Sequence, residues 1–208
     1  MSNVAEVGPD AARPVGLRER KKARTRASIR EHALRLFREQ GYPVTTVEQI
    51  AAAAEVSPAT FFRYFPTKED VVLQDDFDVV TIAALDAQPP ELSPVAAFRA
   101  AAASSLAAMT EADKERFLET SRLTALVPEI RARALDEFTR TIDGVGAALA
   151  RRVGRAPDDF AVRTLAGAII GVIMSATLPG LGEEGWDITD MFGRIDAALA
   201  QLEAGLPL

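Results

Sequence analysis

The sequence predicts an all-α protein with a small basic front and a larger, apolar and acidic body. Apolar residues recur at helical spacing along nearly the whole chain. No segment shows the period-two alternation of a strand, and proline with Ser/Thr punctuation falls between the periodic stretches.

The opening MSNVAEVGPDAARPVG lacks the apolar run of a signal peptide and reads as a disordered leader over 1–17. A first helix follows, with Ile29, Ala33, Leu36 and Phe37 as its apolar stripe and Gly41 at its end. Thr45 and Glu48 have capping-box spacing, so either Thr45 or Thr46 caps a short helix to about Ala54. Ser57 and Pro58 read as N-cap and first helical residue of a second short helix through Phe65. Pro66 stops it, and Thr67 can cap a longer helix from Lys68. The domain boundary is therefore expected here, between 18–66 and 67–208. After the breaker PPELSP come helices expected over Pro94–Met109, Thr110–Leu126, Pro128–Val153, Asp158–Leu178 and Thr189–Ala204.

At 208 residues the chain can bury one good core, or carry a small domain on a larger one. It has no cysteine, which excludes disulfides and thiolate metal sites and fits a cytoplasmic location. The longest apolar run, 165–178, falls short of the roughly 18 residues of a membrane span. Pro179 follows it, so a buried helix is expected and no membrane partner. Net charge is −6, which alone argues against nucleic acid. Its distribution argues the other way. Arg13, Arg18, Arg20, Lys21, Lys22, Arg24, Arg26, Arg30, Arg35 and Arg38 face only Glu19 and Glu31 in that span. Such a basic end on an acidic chain is a common footprint of DNA binding.

Residues 46–65 read as helix, tight turn, helix, preceded by a longer helix: the layout of a helix-turn-helix DNA reader. Ile50, Ala51, Val56 and Phe61 have the spacing to close a small core. The cluster VSPATFFRYFPTKED then divides. Phe61 and Phe65, four apart, face inward, while Pro58, Ala59, Thr60, Phe62, Arg63 and Tyr64 lie outward or at the helix start.

The stretch TRASIREHALRLFREQGYPVTTVEQIAAAAEVSPATFFRYFPTKEDVV resembles the N-terminal domain of TetR (tetracycline-repressor-type) transcriptional regulators. The resemblance covers about a quarter of the chain and implies a ligand-responsive DNA-binding homodimer, most simply a repressor released from a pseudo-palindromic operator. Residue by residue, it implies that Thr46 contacts a phosphate and that Ser57, Pro58, Ala59 and Thr60 lie at the groove-facing end of the recognition helix. Phe62 and Arg63 would meet base edges, Tyr64 a phosphate, and Lys68 another phosphate beside a helix end. The basic residues before Thr25 would follow the backbone or enter a minor groove. The chain departs from the family at Glu55, where glycine is common; a positive φ there would cost on the order of 1 kcal/mol. The last two long helices would form a four-helix dimer interface, with Gly167, Gly171, Met191, Phe192, Ile195 and Leu199 as its candidates. Buried monomer core is the competing account of the glycines.

The effector is less legible. Phe98, Met109, Phe117, Phe138 and Met174 point to a largely apolar small molecule, with Arg122 as a candidate anion partner or else a surface arginine. FFRYFPTKEDVV resembles regulators tied to lipid or acyl-CoA metabolism and efflux, so a lipophilic or acyl-CoA-like effector is one expectation. No cofactor, metal or catalytic residue is expected. His32 is the lone histidine and GVGAAL has no strand before it. Two other readings stand beside this one: an architectural DNA-binding protein without an effector, and an all-α enzyme using carboxylates, for which no Glu-x-x-His spacing exists.

Overall fold

The computed structural model describes residues 16–73, 77–178 and 187–207, and every regular element among them is a helix. Residues 1–15 of the leader, Arg13 among them, lie outside the described residues, and the first helix already begins at Leu17. The chain divides into two compact units, the first ending at Pro66 and the second beginning at Thr67.

The first unit holds α1 (Leu17–Gln40), α2 (Val47–Ala53) and α3 (Pro58–Tyr64). Ile29, Ala33, Leu34 and Phe37 form the buried stripe of α1, with Leu36 half-buried beside it. The chain turns at Gly41, whose φ of 90° suits glycine. Thr45 is buried there, donating to the Gly41 carbonyl at 2.8 Å and accepting from Gln40 at 3.0 Å. That leaves Thr46 as the cap of α2. Its hydroxyl accepts from the Gln49 amide at 3.2 Å, and the Gln49 side chain accepts from the Thr46 amide at 2.9 Å. The capping box therefore uses Thr46 and Gln49, one residue along from the Thr45–Glu48 spacing.

The second unit holds α4 (Asp70–Leu73), α5 (Phe77–Asp86), α6 (Pro94–Ala108), α7 (Glu111–Leu126), α8 (Pro128–Val153), α9 (Phe160–Thr177) and α10 (Ile188–Glu203). The expected long helix from Lys68 is described as α4 and α5, with 74–76 outside the described residues. Thr67 does cap it, through reciprocal bonds with Asp70 at 3.0–3.3 Å. Asp70 is fully buried and lies 3.2 Å from the Arg133 guanidinium of α8. Ser93, Thr110, Asp159 and Asp187 cap α6, α7, α9 and α10, and Gly154 in the left-handed region ends α8.

The core of this unit gathers Leu85, Phe98, Ala101, Val145, Leu149, Val162, Ile169, Ile195 and Leu199 from five helices. Gly144 belongs to the discarded GVGAAL motif and has a packing role. A Cβ there would lie 2.9 Å from Ile82 Cδ1, so its absence lets α8 approach α5. At one end Arg99 of α6 ties α10 down, bonding both oxygens of Asp196 at 2.8 and 3.0 Å and Glu203 at 3.0 Å. The Arg99 hydrogen bond holds the Asp196 carboxyl below its ordinary value, and Ser93 followed by Arg99 does the same for Glu203.

Arg152 of α8 gathers the 88–92 turn by donating to the carbonyls of Gln88 (3.2 Å), Pro89 and Leu92 (3.1 Å). One guanidinium thus satisfies three carbonyls that no helix ladder reaches. Arg152→Ala is expected to destabilise the protein by about 2 kcal/mol, read as a lower urea midpoint with unchanged slope.

α9 is 18 residues long with a mean hydropathy of 1.7, and by length and composition alone it would suffice to cross a membrane. Only 28% of it is buried within the chain, against the expectation of a buried helix. Val162, Ala166, Ile169 and Ile170 face the core, while Phe160, Thr164, Gly171 and Ser175 are exposed.

Candidate nucleic-acid interface and cavity

The turn between α2 and α3 is built from backbone bonds. The Glu55 amide donates to Ala52 at 3.1 Å and the Val56 amide to Ala51 at 2.9 Å, the two bonds of a Schellman motif. That motif puts its first residue past the cap in the left-handed region, and Glu55 has φ 55°. The strain expected for a non-glycine residue is therefore present. Glu55→Gly is expected to raise stability by about 0.5–1 kcal/mol, measured by urea denaturation, since relief of strain outweighs glycine's added chain entropy.

α3 starts cleanly. The Ser57 hydroxyl accepts from the Thr60 amide at 3.1 Å and Pro58 fills the first helical position, where no N–H is needed. Phe61 and Phe65 are both fully buried, their ring centroids 5.9 Å apart. The opposite side is open. Ser57, Pro58, Ala59, Phe62 and Arg63 are exposed, and Thr60 and Tyr64 are half-buried. Phe62 is a large apolar ring left 49% exposed. The Arg63 guanidinium lies 5.4 Å over the Tyr64 ring, which presents it as a planar fork at the helix surface. Thr46 is exposed at the start of α2.

Two of the basic residues counted in the front have structural work. Arg26 and Arg30 sit 5.5 and 6.0 Å over the Phe65 ring. Leu17 to Arg24, by contrast, are all exposed, and the charges at 18, 20, 21, 22 and 24 ride on the first turns of α1. His32 Nδ1 accepts from Arg35 at 3.3 Å, and Arg35 also pairs with Glu39 at 3.0 Å. The histidine is thus part of a helix-surface network. Lys68 belongs to the second unit. It is half-buried ahead of the four-residue α4, and desolvation holds its ammonium below the ordinary lysine value.

The described residues of the second unit line a partly open cavity of about 230 Å³. Phe98, Phe117, Phe138 and Met174 line it, while Met109 and Arg122 do not. Met109 is the C-cap of α6, outside the wall. The cavity also takes residues that the sequence pattern did not assign to it: Phe77 and Ile82 of α5, Thr120 and Thr124 of α7, Glu137 of α8, and Met191, Phe192 and Ile195 of α10. Met191, Phe192, Ile195 and Leu199 were expected at a dimer interface. They are 1–8% exposed within a single chain, so they offer a partner no surface. Gly167 and Gly171 differ: nothing lies within 4 Å of a Cβ built on either. Among the described residues no cluster of histidine and carboxylates is arranged to hold a metal.

A family model described as the MftR C-terminal domain matches residues 92–207, more than half of the chain, and one for bacterial regulatory proteins of the tetR family matches residues 29–74. The chain belongs to the TetR family. Its members named as relatives are transcriptional regulators. It is 49% identical to TcmR of Streptomyces glaucescens over 88 residues, a match spanning 41% of this chain and 39% of TcmR. It is 27% identical over 190 residues to MftR of Mycobacterium tuberculosis (strain ATCC 25618 / H37Rv), named as a mycofactocin biosynthesis transcriptional regulator, covering 90% of this chain and 93% of that one. Among solved TetR-family structures, Thermus thermophilus FadR in complex with lauroyl-CoA is 27% identical with a TM-score of 0.54, covering 88% of this chain and 95% of that one. A regulator from Syntrophomonas wolfei shares the fold with a TM-score of 0.62 at 20% identity, over 90% and 98% of the two chains. The all-α reading and the DNA-binding regulator reading of the sequence both stand.

Proposed function

We propose that this TetR-family regulator is a homodimeric repressor that leaves its operator when a small apolar molecule fills the cavity of its second unit. The observation that carries the reading is the division of α3: two phenylalanines locked inside, and a capped outer face of Ser57, Pro58, Ala59, Phe62 and Arg63 left to solvent. An exposed apolar ring beside a planar guanidinium suits base edges in a major groove, where arginine reads guanine and apolar groups meet thymine methyls. Thr46 and Tyr64 are proposed phosphate contacts, with Lys68 as a weaker candidate on account of its desolvation.

The dimer reading rests on α9. An apolar helix with an open small-residue face, next to an α10 whose Gly193 is equally unobstructed, fits the close approach of two helix pairs. Two such subunits would set recognition helices in successive major grooves, about 34–36 Å apart. The effector reading rests on the cavity and on FadR, whose lauroyl-CoA makes acyl-CoA one class to test. Such a regulator works in the cytoplasm, where its DNA is.

Selection from a random-sequence duplex library with the full chain tests this reading. The expected result is a pseudo-palindrome with half-site centres about 10–10.5 bp apart, or a multiple of that. Recovery of no enriched sequence would count against sequence-specific DNA binding by α3.

A further inference from the structure

The chemistry of the cavity wall narrows the effector beyond "apolar". Three ring centroids, those of Phe77, Phe117 and Phe192, lie 4.8, 5.5 and 5.9 Å apart and give the wall a continuous aromatic patch. Such a patch favours flat or compact apolar ligands. The volume of about 230 Å³ lies just below the roughly 300–1,000 Å³ of pockets for drug-sized ligands. The ligand is therefore small.

Charge is the second constraint. Among the described lining residues Glu137 is the one ionisable side chain, and no cation accompanies it on the wall. Its Oε2 is 2.8 Å from the Arg140 guanidinium, which lies outside the lining, in an ion pair without hydrogen-bond geometry. Arg140 therefore offsets the Glu137 charge without being presented to a ligand. A carboxylate or phosphate entering this space would lose water, meet aromatic rings and a carboxylate, and gain no cation. A cationic ligand would have to compete with the Arg140 charge for the carboxylate. An uncharged ligand pays neither penalty.

Thr81 supplies the third. Its side chain is 3% exposed, it lines the cavity, and its Oγ1 has no hydrogen-bond partner. Three other threonines of the wall differ. Thr120 bonds the Arg116 and Phe117 carbonyls at 3.1 and 3.0 Å, Thr124 bonds Thr120 at 2.9 Å, and Thr177 bonds Ile173 at 2.9 Å. Their hydroxyls are satisfied by their own helices, whereas that of Thr81 is buried against the cavity with its capacity unused.

We infer that the effector is a small, uncharged, mainly aromatic molecule with one hydroxyl or carbonyl group that hydrogen-bonds Thr81, and that carboxylates are disfavoured. This rests on the cavity being the effector site of the proposed regulator. The probes that test it are naphthalene, 2-naphthol and 2-naphthoate, titrated against the full chain and its Thr81→Val variant, whose new side chain keeps the shape.

2-Naphthol is expected to bind about tenfold more tightly than naphthalene, and at least tenfold more tightly than 2-naphthoate. Thr81→Val should bring 2-naphthol to within about twofold of naphthalene while leaving naphthalene and the melting temperature unchanged. Equal or tighter binding of 2-naphthoate would overturn the inference. So would an undiminished preference for 2-naphthol in Thr81→Val, or no binding of any probe. Operator binding of the same preparations without probe tests the regulator reading separately. Its loss alone would count against that reading and leave the ligand class standing.

Discussion

Arg63→Ala combined with Tyr64→Phe is expected to weaken binding to the selected operator by about tenfold to a hundredfold while leaving the fold intact. Arg63 is exposed on α3 and Tyr64 is half-buried, so neither change opens the core closed by Phe61 and Phe65. A bidentate arginine contact discriminates against a wrong base by about 1–3 kcal/mol, which is the origin of the range. The loss should fall on the specific sequence more than on random DNA, because a base contact carries sequence information and a phosphate contact does not. Equal weakening on both would move Arg63 from the groove to the backbone. Unchanged affinity would place the recognition face elsewhere on the domain.

Gly171→Arg is expected to yield a monomer and to reduce operator affinity by a further large factor. The position is exposed within one chain and nothing lies within 4 Å of a Cβ there, so the arginine has room in the isolated subunit. It has none if a second copy packs helix to helix against α9. Once the two half-sites are read by unlinked subunits, the gain from effective concentration disappears, on the order of 10²–10⁴ in affinity. Size-exclusion chromatography with light scattering should then report a mass near the 22.3 kDa of one chain, with an unchanged far-UV spectrum. A dimer persisting in this variant would remove α9 from the interface.

The contrast between α9 and α10 shows what the sequence can and cannot carry. Met191, Phe192, Ile195 and Leu199 form an apolar stripe at helical spacing, and the stripe is real. Its direction was not legible, because a helix facing its own core and a helix facing a partner need the same pattern. All four turn inward here. The small residues Gly167, Gly171 and Gly193 mark the outer surfaces instead. In the first unit the caps left little freedom. Ser57 with Pro58 fixed where α3 begins, and a four-residue spacing then put Phe61 and Phe65 on one side and Phe62 and Arg63 on the other.

The cavity was half legible for a related reason. Phe98, Phe117, Phe138 and Met174 announce an apolar interior, and they line it. Thr81 and Glu137 do not announce themselves, since hydroxyls and carboxylates on helices usually face water. A trace exists for Thr81, which interrupts the apolar run VVTIAAL of α5. Glu137 has no such trace, lying in the mixed segment RALDEFTR. Arg122 attracted attention as a cation within an apolar region, and it is not part of the wall. Sequence spacing gives the face of one helix; which faces enclose a common space depends on how the seven helices α4 to α10 cross.

The measurement that bears most directly on the account is fluorescence anisotropy of the full chain on its selected operator and on a scrambled duplex, across a salt series. The account predicts saturable binding, at least a thousandfold preference for the operator, and log affinity falling linearly with log salt by about 0.9 per phosphate contact. Equal affinity for the two duplexes at every salt concentration would contradict it, leaving an electrostatic DNA-binding protein without a sequence to regulate.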